Sequence, residues 1–303
     1  MNRTPKLILL VLLLLIVIGS VFILQPNKTP KPAPLPAEEK TDLAAPAKPT
    51  TTKEIIGRSV EGRDIEAYTF GTGPDNLLFV GGMHGGYEWN SILLAYQMID
   101  YLKVNPQNIP DNITVHVIPD LNPDGLFAAT GLVGRFDAAE IPNNDMHKTG
   151  TGRFNANGVD LNRNFTCKWS PQSTWRNKKV SAGTAAFSEP EAAALRDYVN
   201  KIKPKAVVFW HSKANNVYAS ECENGVLPET VTLMNTYAKN GGYGAVESFD
   251  AYPITGDSEG WLASIGIPAI TVELGSRTDT EWNKNLKAVT AVLDSYKTEI
   301  APK

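Results

Sequence analysis

The chain of 303 residues predicts an α/β fold, a sandwich of helices around a central sheet. Short unbroken aliphatic runs alternate with longer stretches whose apolar residues recur at helical spacing. Glycine-rich turns close several of the short runs, and no internal repeat divides the chain. In order, residues 51–69 read as a hairpin with Gly57-Arg58-Ser59-Val60-Glu61-Gly62-Arg63 at its turn. Residues 77–81 form a strand running into glycine, 89–102 a helix and 113–118 a second buried strand. Glu189-Pro190-Glu191 opens a helix reaching residue 202, with proline in the first turn where a missing N–H costs little. A strand at 206–210, a helix at 229–240, a strand at 269–273 and a final helix at 279–296 complete the pattern. Residues 122–165 are rich in Gly and Asn and carry little periodicity; a loop of that length inside a compact domain is normally kept for function.

A charged fraction of 20% and a hydrophobic fraction of 42% suit one globular domain, expected at 53–303, plus an appendage. Residues 7–24 are nearly all aliphatic and follow the basic stretch Asn2-Arg3-Thr4-Pro5-Lys6. Residues 1–25 therefore have the pattern of a signal sequence or membrane anchor. Without a convincing small-x-small cleavage site, an uncleaved anchor is favoured, with the rest of the chain outside the cell membrane. Residues 26–52 hold seven prolines among Lys, Ala, Glu and Thr and are expected to be an extended, disordered linker. Residues 1–52 carry six basic and three acidic side chains, which leaves 23 basic against 29 acidic in the remainder. No basic stripe points to nucleic acid. Two cysteines, Cys167 and Cys222, are too few for a disulfide scaffold, yet in an exported domain they are expected to be bridged.

The chemistry concentrates in Gly81-Gly82-Met83-His84-Gly85-Gly86-Tyr87-Glu88 and in His211, which ends the run Ala206-Val207-Val208-Phe209-Trp210. Two imidazoles and one carboxylate, with a fourth position left for water, are what a catalytic zinc ion requires. His84 would stand at the C-terminal end of a strand and Glu88 at a helix start, where open α/β sheets place their sites. His116, inside a strand, reads as structural, and His147 as a loop histidine.

Further along lie Asn122-Pro123-Asp124-Gly125, Arg153-Phe154-Asn155, Gly158-Val159-Asp160-Leu161-Asn162-Arg163-Asn164-Phe165, His211-Ser212, Tyr252 and Thr271-Val272-Glu273-Leu274. This ordered set resembles the zinc carboxypeptidase family, the M14 peptidases or funnelins, from about residue 53 to the C-terminus. The resemblance implies an α/β/α sandwich with a mixed, mostly parallel twisted sheet and one Zn²⁺ per chain, held by His84, Glu88 and His211. Glu273 resembles the family's general base, and Arg153 the arginine that polarises the scissile carbonyl. Asn162 and Arg163 resemble the pair that grips the substrate's terminal carboxylate, a bidentate task suited to arginine. Tyr252 resembles the tyrosine that caps bound substrate. Glu259 matches the position lining the specificity pocket, with Asp257 able to share that role, and acid there favours a basic C-terminal residue.

Two departures stand out. The His84 to Glu88 spacing is one residue longer than in the digestive enzymes, and Gly85-Gly86 is expected to absorb the excess in a looser turn. Lys213 replaces an aromatic beyond the scissile bond. The expected activity is a membrane-tethered, extracytoplasmic metallocarboxypeptidase. The alternative is a peptidoglycan stem-peptide amidase of the γ-D-glutamyl-diaminopimelate type, so the partner is a peptide or muropeptide. An inactive binding homologue is disfavoured because Glu273 and all three ligand residues are present.

Overall fold

The computed structural model describes residues 51–143 and 146–298, which fall within one compact unit beginning at Ala47. The expected anchor and nearly all of the expected linker lie outside the described residues. Among the described residues no helix is long and apolar enough to cross a membrane.

Eight strands form the main sheet: β1 (Thr51–Arg58), β2 (Asp64–Gly71), β3 (Asp75–Val80), β4 (Ile113–Ile118), β7 (Ala206–Ser212), β8 (Asn216–Ala219), β11 (Gly244–Val246) and β12 (Ala269–Leu274). Their spatial order is β1-β2-β4-β3-β7-β12-β8-β11. The run β4-β3-β7-β12 is parallel, β1 and β2 add antiparallel on one side, and β8 joins β12 antiparallel on the other. Two small hairpins, β5 (Gln172–Trp175) with β6 (Lys178–Ser181) and β9 (Glu221–Cys222) with β10 (Gly225–Val226), lie outside it.

The period-2 alternation of each strand divides the interior into two cores. Leu77, Phe79, Val208, Trp210 and Val272 face one side. There they meet α1 (Trp89–Val104), α5 (Pro228–Gly241) and α7 (Trp282–Ser295). Leu78, Val80, Val207, Phe209 and Ala269 face the other, against α4 (Pro190–Ile202) and α6 (Ser258–Ser264). The result is a three-layer sandwich whose central parallel strands are buried on both faces, which explains why they read as continuous aliphatic runs.

The segment read as a long aperiodic loop holds α2 (Pro123–Thr130) and a single turn, α3 (Met146–Thr149). Asn122 caps α2 by accepting from the Gly125 N–H, proline occupies its first turn, and Gly131 ends it at φ 74°.

Candidate active site

His84 lies four residues beyond the end of β3, and His211 lies in β7, the neighbouring parallel strand. Between His84 and α1 the chain makes a 3-10 turn, Gly85–Glu88, which brings the Glu88 side chain back beside His84. The two glycines are needed there. A Cβ on Gly86 would stand 2.5 Å from Cβ of Ala129, and one on Gly85 would stand 2.7 Å from the Leu126 nitrogen, with Gly85 itself at φ 43°. Only glycine lets this turn lie against α2.

The resulting geometry is tight. Nδ1 of His211 lies 3.1 Å from Nδ1 of His84 and 3.0 Å from Oε2 of Glu88, and His84 Nδ1 lies 3.1 Å from the same oxygen. All three side chains are buried. Two ring nitrogens and a carboxylate oxygen clustered this closely fit a divalent cation about 2.0–2.2 Å from each. Among the described residues this is the group of three or more His, Cys, Asp or Glu suited to a metal. The outward nitrogens also face carboxylates: His84 Nε2 is 3.3 Å from Asp160 Oδ1, and His211 Nε2 is 3.6 Å from Glu259 Oε1. Such outer carboxylates orient ligating imidazoles and raise their basicity.

Glu273 pairs in register with His211 across β12 and β7. Its Oε2 is buried and makes no hydrogen bond among the described residues. Burial first, and the nearby charge of Glu88 second, push its carboxyl up to about 7 against the opposing pull of His211, Arg277 and Arg153. Arg153 donates from Nε (3.1 Å) and Nη2 (2.8 Å) to Asp160 Oδ2, and its guanidinium lies 4.4 Å above the Trp175 ring. Burial alone would raise the Asp160 carboxyl, but Arg153 and His84 overcome it and hold the group well below the usual range.

His84, Glu88, His211, Glu273 and Arg153 line a cavity of about 690 Å³ together with Asn162, Arg163, Tyr252, Asp257 and Glu259. Asn162 Oδ1 accepts from the backbone N–H (2.9 Å) and hydroxyl (3.0 Å) of Ser258. The Arg163 guanidinium donates to the carbonyls of Thr174 and Asn162. Tyr252 packs its ring against Phe249 at 4.9 Å. The expectation for Asp257 and Glu259 meets a more specific arrangement. Asp257 caps α6, accepting from the Gly260 N–H at 2.8 Å, and burial raises its carboxyl to about 6. Glu259 accepts from Thr271 Oγ1 (2.7 Å) while facing His211, and its Oε2 shares the single Ser258 hydroxyl proton with Asn162 Oδ1, each at 3.0 Å. Both therefore line the cavity with part of their acceptor capacity already engaged.

Cys167 and Cys222 are joined in a disulfide with a Cα–Cα distance of 6.1 Å. The Cys167 carbonyl accepts from Gly256 N–H, and the Gly256 carbonyl accepts from Phe165 N–H, so three segments of the cavity wall are tied together. Asp160 and Arg277 also belong to the site and had no role in the reading of the sequence. Asp160 stands two residues before Asn162 in a motif already noted, flanked by Val159 and Leu161, and that apolar setting was its only signal.

A family model described as zinc carboxypeptidase matches residues 38–286. One similar protein is gamma-D-glutamyl-L-diamino acid endopeptidase 1 of Lysinibacillus sphaericus, 26% identical over 246 residues, covering 74% of this chain and 60% of that protein. The human carboxypeptidase N catalytic chain is 36% identical over 191 residues, covering 57% of this chain and 37% of that one. The chain thus spans less than two thirds of either relative. Among solved structures, murein-tripeptide amidase MpaA from Escherichia coli O157 has a TM-score of 0.57 at 23% identity, over 82% of this chain and 93% of that one. Carboxypeptidase A from Helicoverpa armigera has a TM-score of 0.63 at 19% identity, over 80% and 67%. At these identities the structural likeness is one of fold.

Proposed function

The chain belongs to the zinc carboxypeptidase family, and on that premise we propose that it hydrolyses the amide bond to a C-terminal residue, with His84, Glu88 and His211 holding zinc and Glu273 as general base. Zinc, when bound, supplies Lewis acidity toward the scissile carbonyl and acidifies water. Glu273 takes a proton from the attacking water as its oxygen bonds to the carbonyl carbon, then delivers that proton to the amine nitrogen as the C–N bond breaks. Arg153, fixed by Asp160, offers its remaining Nη1 to the carbonyl oxygen as negative charge develops there. Asn162 and Arg163 receive the leaving residue's carboxylate, and Tyr252 covers it. Asp257 and Glu259 favour a cationic side chain on that residue. Residues 1–25 tether the domain outside the cell membrane.

The observation that carries this reading is Oε2 of Glu273, without a hydrogen-bond partner among the described residues and buried beside His211 in the same cavity as Arg153. Glu273→Gln should lower kcat by about 10²–10⁴-fold while zinc stays bound at one ion per chain, measured by metal analysis of the purified protein. Turnover surviving that change would refute the mechanism. A second reading, cleavage of the γ-D-glutamyl-diaminopimelate bond of peptidoglycan stem peptides, is supported by the similarity to the L. sphaericus endopeptidase across 74% of this chain. Rates on peptides ending in Lys, Phe or diaminopimelate separate the two.

A further inference from the structure

Arg277 takes no part in the steps above, yet it lies in the same cavity. It follows Glu273 by four residues, on the loop leaving β12. Its guanidinium stacks over the Tyr87 ring at 4.2 Å, and its side chain is only 12% exposed. Nη1 is buried and has no hydrogen-bond partner among the described residues. The nearest carboxylate oxygen, Oε1 of Glu88, is 3.7 Å away, beyond a hydrogen bond. Of the other three arginines at the cavity, Arg153 is engaged by Asp160 and Arg163 by the Thr174 and Asn162 carbonyls, while Arg176 is exposed and lies over the Trp175 ring at 5.3 Å. A buried guanidinium donor left unmet is unfavourable, so an anion that filled it would relieve that cost.

A second cation stands on the same rim. Lys213 lines the cavity; burial first, then Arg277 and last Lys213, disfavour the charged form of His147, whose ring packs on Tyr87 at 5.8 Å. Lys213 and Arg277 thus place two cations on this wall of the cavity, with the Tyr87 ring beneath Arg277 and His147 packed on Tyr87. Asn162, Arg163 and Asp257 gather instead around Ser258 and Thr174, where the leaving residue is received.

We propose that Arg277 is a specificity-determining residue that binds a carboxylate carried by the acyl-side residue of the scissile bond. The inference rests on the reading of the cavity as a peptidase site and names the substrate class it takes. The planar fork of arginine suits a carboxylate through two parallel hydrogen bonds. That carboxylate has two chemical sources, the side chain of an α-linked Asp or Glu and the free α-carboxyl of a glutamate joined through its γ-carbonyl.

The test uses four peptides that share one leaving residue and carry on the acyl side Ala, α-linked Glu, γ-linked Glu, or γ-linked Glu with its α-carboxyl amidated. Their binding is measured calorimetrically to zinc-loaded Glu273→Gln protein, with and without Arg277→Gln or Arg277→Lys, and their kcat/KM to the corresponding proteins that retain Glu273. Arg277→Gln should weaken binding and kcat/KM about tenfold to a hundredfold for the carboxylate-bearing peptides and leave the Ala and amidated peptides within about twofold. Arg277→Lys should retain part of the preference. The glutamyl linkage that loses more identifies the carboxylate source. An equal loss on all four peptides, or no loss on any, overturns the assignment. Binding that follows the predicted pattern without cleavage by the protein retaining Glu273 would instead overturn the peptidase reading and leave the carboxylate site standing.

Discussion

Asp160 joins His84 of the candidate metal group to Arg153 through one carboxylate. Its Oδ1 faces His84 and its Oδ2 holds Arg153, at full burial. Asp160→Asn should weaken zinc binding about 10- to 100-fold in a competition titration, as loss of an outer carboxylate does. It should lower kcat/KM further, at saturating zinc, through a loosened Arg153. The proposed ligands His84, Glu88 and His211 were legible only together with the ordered motifs downstream, because a histidine beside glycines is by itself more often an ordinary loop residue. Asp160 and Arg277 were not, since Arg277 sits in the polar turn Gly275-Ser276-Arg277-Thr278-Asp279 and nothing local tells which of its side chains turns inward. Glu259 was legible as a cavity residue, but its facing of His211 depends on how α6 packs over β12, which is long-range information.

At the level of elements, the buried strands were located within a few residues because both of their faces are apolar. The sequence reading missed α2, only eight residues long after its Asn122 cap, and the short strands β8 and β11, four and three residues, next to and at the sheet edge. β4 carries a different kind of information in His116. Its ring lies between Tyr198 Oη (2.8 Å), Asn76 Oδ1 (3.0 Å) and Thr69 Oγ1 (3.1 Å), and burial lowers its imidazole to about 4. A histidine kept neutral in the fold but free to charge when unfolded means that the unfolded chain binds more protons between pH 4 and 6.5, so stability falls as pH falls through that window. From pH 7 to pH 5 this group should remove about 2 kcal/mol, and His116→Gln should show a correspondingly smaller loss in urea melts at the two pH values.

The whole molecule separates two tasks. His211 and Glu273 belong to central strands, and His84 and Glu88 lie in a glycine turn clamped between β3 and α2. The residues assigned to gripping substrate stand mostly on loops and on the short α6, and the Cys167–Cys222 bond braces that wall. Pairing of the two cysteines was readable from their number and the exported setting expected for them, whereas what the bond braces was not. Replacing both with Ser reopens a 55-residue separation and should cost about 2–4 kcal/mol of stability in denaturant melts. Below the melting transition, reduction of this bond should make the two tasks part company. The thiol form should keep its zinc and its hydrolytic step while KM rises and discrimination among leaving residues fades. Ageing or reductive damage would therefore first produce a less choosy hydrolase rather than a dead one.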